Sequence, residues 1–190
     1  MLLTELAADY ELHLLNMKAG ENRQPAYLAI NPMGKVPAIV HRGELITEQV
    51  AIYQYLAEVF PARGLAPAPG EPGRGSFLRW LAFYGSSFEP AIIDRSMKRD
   101  PAPMASSPYG DFDTMYQTLV DHLSHNEYIL GSRFSAADVL WGTSLGWTSQ
   151  FGLVPAHDAI SGYIQRVSSR PAMVQASQQD SAWAAEYNPA

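Results

Sequence analysis

The sequence predicts an α+β N-terminal segment followed by an all-helical remainder. Three observations carry this reading. Before residue 60, short apolar runs alternate with turn residues, the pattern of brief strands. A stretch rich in proline and glycine, Pro61 to Gly75, then interrupts all regular structure. Beyond it, apolar and aromatic residues recur at three- and four-residue spacing, the signature of amphipathic helices.

Each element has its own warrant. Glu11 to Met17, ELHLLNM, sets Leu12 and Leu14 on one face, as a strand would. Pro25 to Ile30 predicts a helical turn, closed by Asn31-Pro32 and Gly34. Val36 to Val40, VPAIV, predicts a short buried strand, with Glu44 to Ile46 as its hairpin partner across His41-Arg42-Gly43. Thr47 is the expected N-cap of a helix running through Val59, whose buried face is Ile52, Tyr55, Leu56 and Val59. In the remainder, Phe77, Leu78, Trp80, Leu81, Tyr84 and Phe88 lie along one helix, expected to bend at Pro90. Phe112 to Leu123 marks a second helix and Ser135 to Gln150 a third. Ala159 to Val167 marks a fourth, and a fifth begins at Pro171, a residue suited to a first turn. Ser135 and Asp138 have the spacing of a capping box. The domains are expected at 1–62 and 75–190.

Composition narrows the function. Of 190 residues, 47% are hydrophobic and 17% charged, which excludes a disordered chain. A net charge of −6 offers no field for a phosphate backbone, so no nucleic acid is expected as partner. No membrane is expected either. The most apolar stretch, Leu140 to Val154, is broken by Gly, Ser, Thr and Gln, and a bilayer requires about 20 apolar residues. The N-terminus lacks a basic region and carries Glu5 and Asp9, unlike a signal peptide. These residues include no cysteine, so any thiol chemistry requires a thiol from a ligand.

Some signals have competing readings. Gly142-Thr143-Ser144-Leu145-Gly146 matches a nucleophile-serine pattern, but that pattern needs a strand before it and a sharp turn. Here it falls inside a predicted helix, where two glycines four apart indicate close helix packing. His122 and His125 share a helix face, yet no carboxylate–histidine pattern accompanies them, and no metal is expected. His13 and His41 occupy strand or turn positions. Trp80, Tyr84 and Phe88 form either plain core or the lining of an apolar substrate pocket.

Residues 31–61, NPMGKVPAIVHRGELITEQVAIYQYLAEVFP, resemble the core of the glutathione S-transferase N-terminal domain. Ser135-Ala136-Ala137-Asp138 following Tyr128-Ile129-Leu130-Gly131 resembles the family's helical capping box, and residues 163–172, YIQRVSSRPA, its late helices. The resemblance implies a thioredoxin-like domain, here incomplete, followed by an all-α domain. It implies glutathione as co-substrate and a small electrophile as the second substrate. Val36-Pro37 takes the place of a cis-proline corner that turns the Val36 N–H and C=O outward, toward the cysteinyl backbone of glutathione. Glu48 and Gln49 open a helix whose free N–H groups attract the γ-glutamyl carboxylate, with Glu48 on its ammonium. Lys35 is the candidate for the glycyl carboxylate. Gln49 stands where the family usually has serine.

The resemblance further implies a cytoplasmic homodimer engaged in detoxification. Met1 to Ala8 resembles the latter part of the family's first helix. The first strand and the catalytic Tyr, Ser or Cys are therefore expected upstream, and the chain as written is expected to conjugate weakly or not at all. Tyr84 and Arg95 are the residues of the helical part that could substitute. Beside the transferase reading stand a non-catalytic binding or scaffold module and a glutathione-dependent isomerase or dehalogenase.

Overall fold

The computed structural model describes residues 1–100 and 102–187. A short helix α1, Leu2–Leu6, buries Leu2 and Leu6 one turn apart. Glu11–Met17 forms no strand. A strand needs a neighbour to take its N–H and C=O groups, and no ladder reaches this segment among the described residues. Leu12 and Leu14 accordingly stay 45% and 36% exposed. The expected turn is helix α2, Pro25–Leu28. Strands β1, Ala38–His41, and β2, Glu44–Thr47, pair antiparallel with Ala38 opposite Thr47 and His41 opposite Glu44. Their two-residue loop needs positive φ at both centres, and Arg42 and Gly43 adopt 53° and 82°.

Helix α3, Gln49–Val59, starts two residues after Thr47 and has Glu48 at its N-cap position. Thr47 cannot serve as the cap because it is committed to the hairpin opposite Ala38. Ile52, Leu56 and Ala57 form its buried side.

The proline-rich connection is held in place. Arg133 donates to the carbonyls of Gly64 and Ala66 at 3.1 Å each and pairs with Glu71 at 2.7 Å. Leu65 is buried, and its carbonyl accepts from the Ala136 N–H at 2.8 Å. Helix α4, Arg74–Phe83, passes through a wide π-helical turn, Tyr84–Phe88, into α5, Glu89–Ser96. The irregularity precedes Pro90, because proline has no N–H for the Ser86 carbonyl and its ring crowds that group.

The other helices are α6, Phe112–His125; α7, Ala136–Gln150; α8, Asp158–Ser168; and α9, Pro171–Tyr187. Among the described residues, no helix is long and apolar enough to cross a membrane. The architecture is thus a small hairpin-and-helix N-terminal domain followed by a helical domain.

Helix α7 is the axis of the core. Trp141 is fully buried, and Trp80, Phe83, Tyr84 and Phe88 pack around its ring with centroids 4.9–6.2 Å away. Its indole N–H donates to the Trp80 carbonyl at 3.2 Å. On the opposite side Gly142 lies against α8. A Cβ there would stand 2.5 Å from Val167 Cγ1, so only glycine permits this approach. Gly146 faces Ile164 at an ordinary 3.6 Å.

The start of α7 is a capping box on Ser135 and Asp138. The fully buried Asp138 carboxylate accepts from the N–H groups of Ile129 and Ser135 at 2.7 and 2.8 Å. It also accepts from the Ser135 hydroxyl at 3.0 Å and the Tyr163 hydroxyl at 2.9 Å. Burial pushes this carboxyl up to about 6, while those donors pull it back.

Two stability predictions follow from this packing. Gly142→Ala should destabilise the protein by about 1–3 kcal/mol through overpacking, and Val167→Ala in the same chain should recover only part of the loss, because it removes the methyls at 2.5 and 2.9 Å but keeps the Cβ at 2.7 Å. Denaturant midpoints of the four forms in the cycle test this, and independent effects would contradict it.

Asp138→Ala should cost about 2–4 kcal/mol, since it leaves buried N–H groups without acceptors. The raised pKa also fixes a sign. The native state holds the Asp138 proton more tightly than the unfolded chain does, so protonation favours folding. This group's contribution should fall as pH rises from about 4 to about 6, by on the order of 3 kcal/mol, and then level off. The stability gap between parent and Asp138→Ala should therefore widen on acidification from pH ~6 to ~4. A gap that closes instead would show that the four donors, not burial, dominate.

Candidate functional site

The loop from Asn31 to Pro37 is fixed from beneath by polar side chains. Asn31 is buried; its amide donates to the Lys35 carbonyl at 2.9 Å, and its oxygen accepts from the Met33 N–H at 3.1 Å. The Tyr27 hydroxyl donates to the same Lys35 carbonyl at 2.6 Å. Buried Asn22 donates to the Gly34 carbonyl at 2.8 Å, and Arg23 to that of Met33 at 3.1 Å. Gly34 has φ 61°, and a Cβ on it would meet the Asn22 carbonyl oxygen at 2.9 Å, so this close turn requires glycine.

The Val36-Pro37 peptide is cis. Val36 is exposed, and its N–H and C=O take no partner among the described residues. The Lys35 side chain is exposed beside it.

At the start of α3, Glu48 adopts φ 66° and ψ 114°, a conformation that non-glycine residues rarely occupy. Such backbone outliers concentrate where surrounding structure imposes a functional geometry. No side chain caps this helix, and its first internal bond runs from Ile52 to the Glu48 carbonyl. The N–H groups of Gln49, Val50 and Ala51 are therefore free to meet an anion. Gln49 lies against Tyr53, whose phenol burial pushes up to about 12 with Gln49 opposing the shift.

This helix start touches the helical domain. A Cβ on Gly85 would come within 3.2 Å of Val50 Cγ2, so the π-helical turn is flush with the first turn of α3.

Next to that contact is a cavity of about 320 Å³. Tyr84, Phe88 and Glu89 form one wall; Thr143, Ser144 and Trp147 of α7 form the other. The Tyr84 hydroxyl and Ser144 Oγ are 2.7 Å apart. Burial raises the Tyr84 phenol well above its ordinary value, so it is a neutral O–H at physiological pH. The Glu89 carboxyl is raised by burial, lowered by Tyr84, and raised again by the nearby charge of Glu48. Glu48 and Glu89 thus link the start of α3 to the cavity.

The structure brings Tyr84 and Phe88 of the aromatic stripe to this cavity but not Trp80, which packs between Trp141, His122 and the Arg79 guanidinium. Arg95 is also elsewhere, stacked over Phe112 at 4.3 Å. Ser144 sits mid-helix, without the strand and turn of a nucleophile elbow. His157 caps α8, accepting from the Ala159 N–H. His122 and His125 bond backbone carbonyls, and His41 bonds Tyr55. Sequence reasoning missed Glu89 and the supporting residues Asn22, Tyr27 and Asn31. Asn31-Pro32 was legible as a turn, but nothing local shows which carbonyls these side chains reach.

A family profile described as "Glutathione S-transferase, N-terminal domain" matches residues 1–58. A solved sphingomonad glutathione S-transferase, complexed with glutathione, superposes with a TM-score of 0.77 at 31% identity, over 95% of this chain and 91% of that one. The chain belongs to the glutathione S-transferase superfamily.

Glutathione S-transferase GstA of Escherichia coli O157:H7 is 28% identical over 172 residues, covering 89% of this chain and 86% of its own length. A maleylacetoacetate isomerase of Pseudomonas aeruginosa is 48% identical over 60 residues, 30% of this chain and 28% of its own. The start of α3 meets the π-helical turn through Val50 and Gly85, and Tyr84 of that turn lines the cavity.

Proposed function

We propose that this chain is a cytoplasmic glutathione transferase that seats glutathione along Val36 and the start of α3 and an electrophile in the adjoining cavity. The observation that carries the reading is the pairing of two recognition elements. Val36 offers an unpaired N–H and C=O on a rigidly held loop, suited to the cysteinyl backbone of the tripeptide as an added strand. Three free N–H groups at α3 suit its γ-glutamyl carboxylate. Glu48 takes the ammonium, Gln49 adds an amide donor to the carboxylate, and exposed Lys35 takes the glycyl carboxylate.

The chemistry asked of the protein is modest in kind. A thiol with a pKa of about 8.5 is only a few per cent ionised at neutral pH, so donors that stabilise the thiolate raise its reactive fraction. The thiolate attacks the electrophilic carbon, a carbon–sulfur bond forms, and the leaving group departs with its electron pair. Tyr84, held neutral, can contribute an O–H donor but not a base. A second reading is a glutathione-dependent isomerase, favoured by the stretch of high identity to the isomerase above. Assays with halogenated nitroaromatics against cis-dienoic acids distinguish the two.

Glutathione should raise the melting temperature, by an amount equivalent to about 2.7 kcal/mol at a hundredfold excess over Kd. Glu48→Ala should remove most of that shift. A parent melting curve unmoved by millimolar glutathione would refute a tripeptide site.

A homodimer is expected, with the first domain of one subunit against the helical domain of the other. Val40 on the hairpin and Met97 after α5, 69% and 62% exposed, are apolar surface of the kind such an interface covers. Light scattering should give twice the chain mass at micromolar concentration, and a single-chain mass would contradict the dimer.

A further inference from the structure

We infer that Glu89 makes the cavity selective for uncharged or cationic electrophiles and against those bearing a carboxylate. This rests on the transferase reading only for the word electrophile; the preference itself is a property of the cavity lining.

The first argument is a count of hydrogens. The polar lining besides Glu89 is the hydroxyls of Tyr84, Thr143, Ser144 and Thr148 and the indole N–H of Trp147. The Thr143 hydroxyl donates to the Val139 carbonyl at 2.7 Å, and that of Thr148 to the Ser144 carbonyl at 2.8 Å. Tyr84 and Ser144 share one hydrogen between their oxygens. That leaves one spare O–H, toward which Glu89 competes through Tyr84, and the Trp147 N–H, against an abundance of lone pairs. A bound carboxylate requires several donors or a cation, and this lining offers at most two donors and no cation.

The second argument is charge. Glu89 is the one charged residue of the lining, and no Lys, Arg or His of the described residues contributes to it. The nearest influence from across the domain boundary is Glu48, of the same sign. The remaining walls, Phe88, Ile92, Ile93 and the Trp147 ring, are apolar. A ligand carboxylate entering here meets an acidic, donor-poor surface. An uncharged nitroaromatic, or a cation that Glu89 can pair with, does not.

Trp147 lines the cavity and gives a readout independent of catalysis. A neutral chlorodinitrobenzene and its carboxylate analogue, a chlorodinitrobenzoate, are titrated without glutathione at pH ~8, where a carboxyl side chain is ionised. Quenching is followed in the parent and in Trp147→Phe, which isolates the cavity signal. The neutral compound should bind at least about tenfold more tightly than the benzoate. Glu89→Gln should narrow that ratio severalfold. Ile93→Lys, which places a cation at the half-exposed rim without disturbing the core, should raise benzoate affinity on its own.

Equal binding of the two compounds by the parent would overturn the inference. So would absence of quenching by the neutral one, or a ratio unmoved by both variants. The glutathione melting shift is measured in parallel. Its loss with the discrimination intact refutes the transferase reading alone, whereas its persistence without discrimination refutes the cavity preference alone.

Discussion

The Asp138 carboxylate takes hydrogens from Ile129, from Ser135 twice and from Tyr163, and by doing so ties three segments to one point. The loop before α7, the first turn of α7 and the middle of α8 cannot move independently of it. Everything further along α7 inherits that origin at 1.5 Å per residue. Trp141 lands at the centre of the aromatic cluster, Gly142 lands where α8 presses in, and Ser144 lands within hydrogen-bond distance of Tyr84. A carboxylate taken out of water is costly by itself. Here four donors offset that cost and convert it into a fixed register.

The same economy of polar contacts governs the N-terminal domain. Four hydrogen bonds donated by Asn22, Arg23, Tyr27 and Asn31 hold the carbonyls of Met33, Gly34 and Lys35, and a fifth, from the Met33 N–H to Asn31, braces the turn. With its neighbours held this way, Val36 keeps its own N–H and C=O free. Gly85 then lets the first turn of α3 lie against the π-helical turn that carries Tyr84. The two halves of the candidate site therefore meet through a glycine that no local pattern singles out.

Most of the fold was legible because it rests on periodicity. Leu119 and Leu123, Ile160 and Val167, and Ile52 and Leu56 are all buried where helical spacing sets them. The hairpin was legible from Arg42-Gly43. The reading failed where a tertiary partner decides. Glu11–Met17 has strand-like alternation but no neighbouring edge, and Thr47 is a good cap residue taken up by a ladder. Trp80, Tyr84 and Phe88 all pack on Trp141, but only the later two also line the cavity. Val36 and Glu48 stood out through resemblance. Glu89 did not, because an acidic residue before a proline looks like an ordinary first turn until the cavity wall facing it is known.

The two halves of the candidate site would recognise by different means under the proposed reading, and this bears on how each can change. Contacts made by main-chain N–H and C=O groups are insensitive to side-chain identity, so the Val36 strand edge and the α3 start tolerate sequence drift as long as the backbone path is kept. Under the proposed reading Gln49 illustrates this: it stands where the family usually has serine, and the helix N–H groups would supply much of the anion's binding. The cavity has no such protection. Its polarity is set by a handful of side chains, and among the described residues Glu89 is the charged one. A substitution there or at Ile93 leaves the backbone path and the Asp138 anchor untouched while altering what the cavity admits. Evolution of substrate range on this scaffold therefore has a cheap route through the α5 wall and an expensive one through α7, whose residues are tied to the core on both faces.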